Sequence, residues 1–522
     1  MERAIVNGAE LLVKTAVSCG IEVCFSNPGT TELPIVTAFE SSPGIKVYLG
    51  LFEGVCTGAA DGYGRMLDKP AMTLLHLGPG FANGIANLHN ARRAKSPVVN
   101  VVGEHATWHL NSDPPLAMDI EKLVRTVSGW WRTSTSAQGL AADVAELVAA
   151  ARRGQVATLI VPNDFQLAEG EDRPASTCTV SFDPVDPHSI EAAASRLKTD
   201  RKVALMLGGR ALRKDGLKIV SRIRKAIGCD LFCHFLPGYI DCGLGLPPVK
   251  RIPHFPGQAT SLLSSYRAVL FAGAGEPVTF FGYPGVRGRI LNEDQERITL
   301  CTDRQDVVEA LECLADTLGA STNFTDGISE LTKLRRPTLP DGNLTAEKAC
   351  LTLAALQPEN AIIVDEAISS GHFYDPLTAG LPPHTVLPGS GGSIGFGIPC
   401  ATGAAVACPD RPVINLQADG SALYTVQALW TQAREGLNVT TLICSNRSYR
   451  ILQAELNRAG TTSYGPKARA LTELTQPVMD WVKIAEGFGV PGKTVSTAEA
   501  LVRELRKALA EPGPHLIEML LP

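Results

Sequence analysis

VINLQADGSALYTVQALWTQAREGLNVTTLICSNRSY, residues 413–449, contains two apolar runs, each ending in a polar corner. The first, 413–416, leads into Gln417-Ala418-Asp419-Gly420-Ser421, and the second, 440–444, into Ser445-Asn446-Arg447-Ser448-Tyr449. Runs this short and apolar read as buried strands, and the Ala- and Leu-containing stretch between them reads as helix. Strand, helix, strand is the unit of a parallel sheet. Both corners then stand on the carboxyl edge of one sheet, where open α/β sheets bind their ligands.

The same rhythm extends outward over the chain. Apolar runs at 97–103 (PVVNVVG), 158–161, 203–207, 267–271 and 361–364 alternate with helical stretches. The expected fold is α/β, with three domains, each a mainly parallel sheet flanked by helices. Two irregular stretches rich in Pro, Asp and Ser or Arg, 169–187 and 333–348, read as surface linkers. The expected domains are therefore 1–170, 186–334 and 345–522. Glycine clusters at 27–30, 77–80, 388–393 and 418–421 fall in the outer two blocks. Any one alone reads as a tight turn; four together point to a binding edge shared by those blocks.

Composition narrows the class of molecule. The chain has 522 residues, 45% hydrophobic and 19% charged, with a net charge of −5 and no long run of one sign. Nothing in that pattern calls for nucleic acid or an anionic membrane surface. No run approaches the ~18 apolar residues of a membrane span, and the N-terminus lacks a signal-peptide core. The thirteen cysteines are scattered, mostly inside apolar runs, as expected of thiols in a reducing cytoplasm. A cytoplasmic enzyme acting on a small molecule is the expectation.

At the two corners, Asp419 offers a hard oxygen ligand beside the free N–H groups of Gly420 and Ser421. A diphosphate carries more charge than those groups can balance, and Mg²⁺ bridging it to Asp419 would supply the difference. Asn446 adds a neutral oxygen, and the carbonyl of Ser448 could complete the protein's share of an octahedron. Asp-Gly and Asn-Arg are also ordinary loop dipeptides, and the residues alone leave that reading open.

The whole arrangement resembles the thiamine diphosphate motif, which runs from Gly-Asp-Gly to Asn over this interval, with Ala418 in place of the first glycine. Two further segments agree. LFEGVCTGAADGYGR (51–65) is similar to the stretch carrying the family's cofactor-activating glutamate, at Glu53, and GGSIGFGIP (391–399) to the stretch whose bulky residue bends the cofactor, at Ile394. The resemblance covers essentially the whole chain and implies a thiamine-diphosphate enzyme of the 2-oxoacid decarboxylase and acetolactate synthase group. It places cofactor contacts at Ser369, Gly392, Ser393 and Ile394, and at Gly420, Ser421, Tyr449 and Leu452. Mg²⁺ would be held by Asp419, Asn446 and Ser448. Glu53 lies in an otherwise apolar segment, where a carboxyl can hand a proton to a ring nitrogen.

Within the group, Asn27–Pro34 (NPGTTELP) resembles the N-terminal motif of benzoylformate decarboxylases, with Thr30 where those enzymes have an active-site serine. His76 follows Glu53 by the same interval as their first catalytic histidine, a residue type suited to proton relay. Gly282 stands where they have a second histidine. The Phe-Gln-Glu stretch of acetolactate synthases is absent from 112–120 (SDPPLAMDI), and their flavin-site run is absent near 280–290, so bound FAD is not expected. The implied activity is decarboxylation of a 2-oxo acid, with carboligation as the alternative and a non-catalytic regulatory relative as a third. The implied assembly is a homodimer as minimal active unit, within a homotetramer.

Overall fold

The computed structural model describes residues 5–175, 182–199, 202–320, 333–460 and 465–522. The chain separates into two compact units: residues 1–180 with 337–375 and 389–522, and residues 181–336 with 376–388.

The first unit contains two parallel sheets. One has six strands in the order Lys46–Leu49, Val23–Asn27, Ala71–Leu75, Val98–Glu104, Val156–Pro162, Trp130–Thr133, every pairing parallel. Its central strands are buried at every position because helices cover both faces, which is why they read as continuous apolar runs. On one face Leu12, Val144 and Leu147, from helices Gly8–Ser18 and Leu140–Ala151, pack on Met72, Val99 and Leu159. On the other, Tyr63, Phe81 and Leu88, from helices Glu53–Leu67 and Leu77–Ala94, pack on Leu75, Val98 and Ile160.

The unit's second sheet runs Ile362–Glu366, Val413–Ala418, Val439–Ser445, His515–Leu520, Gly492–Val495, again all parallel. Its helix Gly397–Ala407 lies directly on helix Glu53–Leu67 of the first sheet. Small residues make this approach possible. A Cβ on Gly62 would stand 2.1 Å from the Cys400 carbonyl oxygen, and one on Gly403 1.8 Å from that of Ala59. The backbones touch where side chains would ordinarily separate two helices.

The second unit holds five parallel strands in the order Lys250–Arg251, Asp230–Cys233, Val203–Leu207, Ala268–Ala272, Glu296–Cys301. Met206, Phe232 and Phe271 belong to its core. A short antiparallel pair, Ile240–Cys242 with His384–Pro388, belongs to the same unit.

The expected strands are present, and the mainly parallel α/β architecture with them. The stretch expected as a first linker differs in part: Glu169–Glu171 is a strand, antiparallel to Ile5–Asn7. Glu, Gly and Glu carry no strand-forming pattern, so backbone pairing with the chain's beginning decides it. Residues 176–181 of that stretch lie outside the described residues. Among the described residues no disulfide forms, and no helix is long and apolar enough to cross a membrane.

Candidate active site

Parallel pairing of Val413–Ala418 with Val439–Ser445 sets Ala418 opposite Cys444, which brings the two polar corners together. Asp419 is 1% exposed at the first turn after its strand. Its Oδ1 accepts from the Gly420 N–H at 2.8 Å and its Oδ2 from the Arg447 N–H at 2.6 Å. Burial pushes the Asp419 carboxyl above its usual range, and the two backbone donors offset part of that rise. Asn446 Oδ1 accepts from the Ser448 N–H at 2.9 Å and lies 3.3 Å from the Ser448 hydroxyl. One carboxylate with neutral amide and carbonyl oxygens is a donor set for a hard divalent cation and not for zinc. Among the described residues, no three His, Cys, Asp or Glu side chains gather as a metal cluster. The residues present thus fit Mg²⁺ beside a diphosphate. The backbone at Gly420 must stay bare, since a Cβ there would lie 2.5 Å from the Tyr449 ring.

Three non-glycine residues adopt the left-handed conformation at related places. Leu77 (φ 53°), Ile368 (φ 52°) and Arg447 (φ 55°) each stand two residues beyond a strand: Ala71–Leu75, Ile362–Glu366 and Val439–Ser445. For the β-branched Ile368 this backbone is a true outlier. Strain of this kind persists where surrounding structure holds it, commonly at functional sites.

The segment 391–397 carries Gly392, Ser393 and Ile394, and its backbone is gripped from two sides. Asn90 donates to the Ser393 carbonyl at 2.8 Å and accepts from the Ser393 N–H at 3.2 Å. Glu366 accepts from the N–H groups of Gly395 at 2.5 Å and Gly397 at 2.6 Å. The Gly395 carbonyl accepts from Thr425 at 2.8 Å and from Asn87 at 3.2 Å. Glu366 also accepts from Gln417 at 3.0 Å, and Gln417 donates to the Ser421 hydroxyl at 2.6 Å. Burial lifts the Glu366 carboxyl to about 7, against the lowering effect of these donors.

On the first sheet, Glu53 opens its helix and is 8% exposed, accepting from Asn83 Nδ2 at 3.0 Å. His76 follows the strand Ala71–Leu75, and its Nδ1 lies 2.7 Å from Glu32 Oε2. Glu32, fully buried, also accepts from the Thr31 hydroxyl at 2.6 Å and the Gly29 N–H at 2.9 Å. A Cβ on Gly80 would stand 3.0 Å from Glu53 Oε1 and 3.3 Å from His76 Cβ, so the two side chains flank that glycine. Glu104 adds a third buried carboxyl on this side, held above its usual range by burial and by the charge of Glu32.

Of the residues singled out in the sequence, Asp419, Asn446, Ser448, Gly420, Ser421 and Tyr449 share one corner. Glu53 and His76 share another. Thr30 begins a 3₁₀ turn and faces solvent; the hydroxyl near His76 is that of Thr31, at 3.3 Å. Ser369 gives its carbonyl to His372 Nδ1 at 2.8 Å, and Leu452 is half-exposed on helix Arg450–Arg458. Gly282 lies in the second unit with nothing within 4 Å of its Cβ position. Sequence reading passed over Glu32, Asn83, Asn87, Asn90, Glu366 and Gln417. The signal for the last two was a polar residue at the end of an otherwise buried strand, which must find partners.

Comparison with known proteins identifies the family and the fold. Residues 6–123 match the thiamine pyrophosphate enzyme N-terminal TPP binding domain, and residues 372–519 the C-terminal TPP binding domain. A Mycobacterium tuberculosis protein named "Putative acetolactate synthase large subunit IlvX" is 44% identical, covering 99% of each chain. Benzoylformate decarboxylase of Pseudomonas aeruginosa is 28% identical, covering 96% of each. The solved structure of the thiamine diphosphate-dependent 4-hydroxybenzoylformate decarboxylase of Rhodococcus jostii shares the fold, with a TM-score of 0.85 at 24% identity over 99% of both chains. With both binding domains matched and a relative this similar along its full length, the chain belongs to the thiamine pyrophosphate enzymes.

Proposed function

We propose that the chain is a Mg²⁺- and thiamine-diphosphate-dependent decarboxylase of a 2-oxo acid, similar in reaction to benzoylformate decarboxylase. The observation that carries this reading is the His76–Glu32 pair set beside Glu53. When bound, thiamine diphosphate supplies the carbon nucleophile for the keto group and the electron sink for loss of CO₂. Glu53 holds a proton at the aminopyrimidine ring nitrogen, with Asn83 fixing its carboxyl. Ile394 would support the cofactor's two rings. Asp419, Asn446 and the Ser448 carbonyl would hold Mg²⁺, while Gly420, Ser421, Ser369 and Tyr449 would border the diphosphate side.

Glu32 accepts the Nδ1 proton of His76, which leaves Nε2 for the substrate. His76 can then hold or move a proton at the reacting acyl carbon or the substrate carboxylate. Thr30, exposed at the edge of the same corner, is available to the substrate carboxylate. The minimal active unit is a homodimer, within a homotetramer, in which Glu53 of one chain serves the cofactor held by its partner. Exposed apolar side chains around the diphosphate corner, Leu423, Tyr424, Leu452 and Leu471, support a covering surface there.

A carboligase is the second reading, favoured by the name of the 44% identical relative. Both readings share the site and differ in what accepts the decarboxylated fragment. A panel of pyruvate, phenylglyoxylate and branched 2-oxo acids, with products identified by mass spectrometry, decides between them. Free aldehyde supports the decarboxylase, a C–C bonded hydroxyketone the carboligase, and no turnover of any 2-oxo acid overturns both.

A further inference from the structure

Glu366 is buried at the end of strand Ile362–Glu366 and accepts hydrogen bonds from Gly395, Gly397 and Gln417. Two come from the backbone on the far side of Ile394, at Gly395 and Gly397. Another comes from Gln417, whose amide also reaches Ser421 in the Asp419 corner. Asn90 holds the near side of Ile394, at both the N–H and the carbonyl of Ser393. Thr425 and Asn87 hold the Gly395 carbonyl. Ile394 is thus the unbonded centre of a segment fixed on either flank. Gly392 and Gly395, with φ of 74° and 93°, would otherwise leave it free to swing.

We propose that Glu366 is a positioning residue: it draws the Gly395 and Gly397 N–H groups onto one carboxylate and so sets the place of Ile394 relative to the Asp419 corner. The inference rests on the proposed role of Ile394 beneath the cofactor. Glu366 bonds to none of the proposed metal ligands and acts through the segment it holds. A carboxylate suits the task because both its oxygens accept, while an amide would turn an N–H toward one of the two backbone donors. The link through Gln417 to Ser421 ties the ring-bending segment to the diphosphate corner, so the two parts of a bound cofactor are referenced to one rigid strand edge.

The test uses the full-length protein with Glu366→Gln and Glu366→Asp, the first close to isosteric so that folding is preserved. In the cofactor-free protein, amide hydrogen exchange at Gly395 and Gly397 should quicken at least ten-fold in Glu366→Gln. Loaded with thiamine diphosphate and Mg²⁺, the variant should keep its cofactor Kd within about ten-fold while kcat falls about 10²-fold, the cost of a small misplacement. Its near-ultraviolet circular dichroism from the bound aminopyrimidine should change as well. Because Glu366 acts through Ile394, Glu366→Gln added to Ile394→Ala should cost far less than it does alone. Full additivity of the two, unchanged exchange, or an unchanged dichroism band with loss of thermal stability only would overturn the positioning role. If wild type binds no thiamine diphosphate in Mg²⁺, the reading beneath it falls instead, which is a separate outcome.

Discussion

Glu32 Oε2 stands 2.7 Å from His76 Nδ1, and the same carboxylate takes hydrogen bonds from the Thr31 hydroxyl and the Gly29 N–H. Three donors converge on one fully buried carboxylate, which orients the imidazole. Gly29 has no side chain to spare here: a Cβ would lie 2.2 Å from His76 Nδ1.

Glu32→Gln is therefore expected to lower kcat by ~10²-fold or more, because it sets an amide N–H among three donors and frees the ring. Cofactor Kd should change little, since the diphosphate corner is on the other sheet. His76→Ala should cost turnover to a similar or larger extent, and the double variant should be no worse than His76→Ala alone. Steady-state kinetics on the three proteins checks this; additive losses would separate the two residues.

Glu53→Gln should leave thiamine diphosphate binding nearly intact and remove most turnover, by the ~10²–10⁴-fold of a lost acid–base group. The Asn83 amide can still find an oxygen on the new side chain, so folding is preserved. Calorimetric Kd beside kcat makes the comparison, and activity within a few-fold of wild type would remove Glu53 from the role.

Asp419→Ala should abolish Mg²⁺-dependent cofactor binding, and Asn446→Ala should weaken it less. The first deletes a charged ligand and leaves the Arg447 N–H without its acceptor; the second removes a neutral oxygen. Titration of each variant with thiamine diphosphate at fixed Mg²⁺ gives the ranking, and the reverse order would show the corner misassigned.

Gly62→Ala should destabilise the protein by about 1–3 kcal/mol, the usual cost of overpacking. In an exposed helix the same change would stabilise by roughly 0.5–1 kcal/mol. The sign reverses because the added Cβ meets a backbone oxygen at 2.1 Å, which cannot rotate away. Thermal and urea unfolding measure the difference.

Mixing Glu53→Gln and Asp419→Ala homodimers, both inactive, should restore activity if one site draws on two chains. Random reassortment makes half the dimers mixed, each with one intact site of two, so about a quarter of wild-type activity should return. No recovery, with both homodimers re-forming normally, would place the site within one chain.

The sequence by itself determined the strands, their parallel arrangement and the two polar corners at 419 and 446. Those signals are local: an apolar run of strand length, a helix, and the residue type that ends each strand. It also singled out Glu53 and His76 as candidates, because each belongs to a short segment with its own pattern. What it did not reveal were partners lying far apart in the chain. Glu32 precedes His76 by 44 residues, and Glu366 precedes Gly395 by 29. No periodicity links such pairs; only the order of strands in the sheet brings their carboxylates to those donors. Thr30 and Thr31 show the same division at the smallest scale. The sequence offers two adjacent hydroxyls, and the 3₁₀ turn after Gly29 sends one to solvent and the other to Glu32 and His76. Residue type says which groups need partners; the tertiary fold alone decides which partner each one finds.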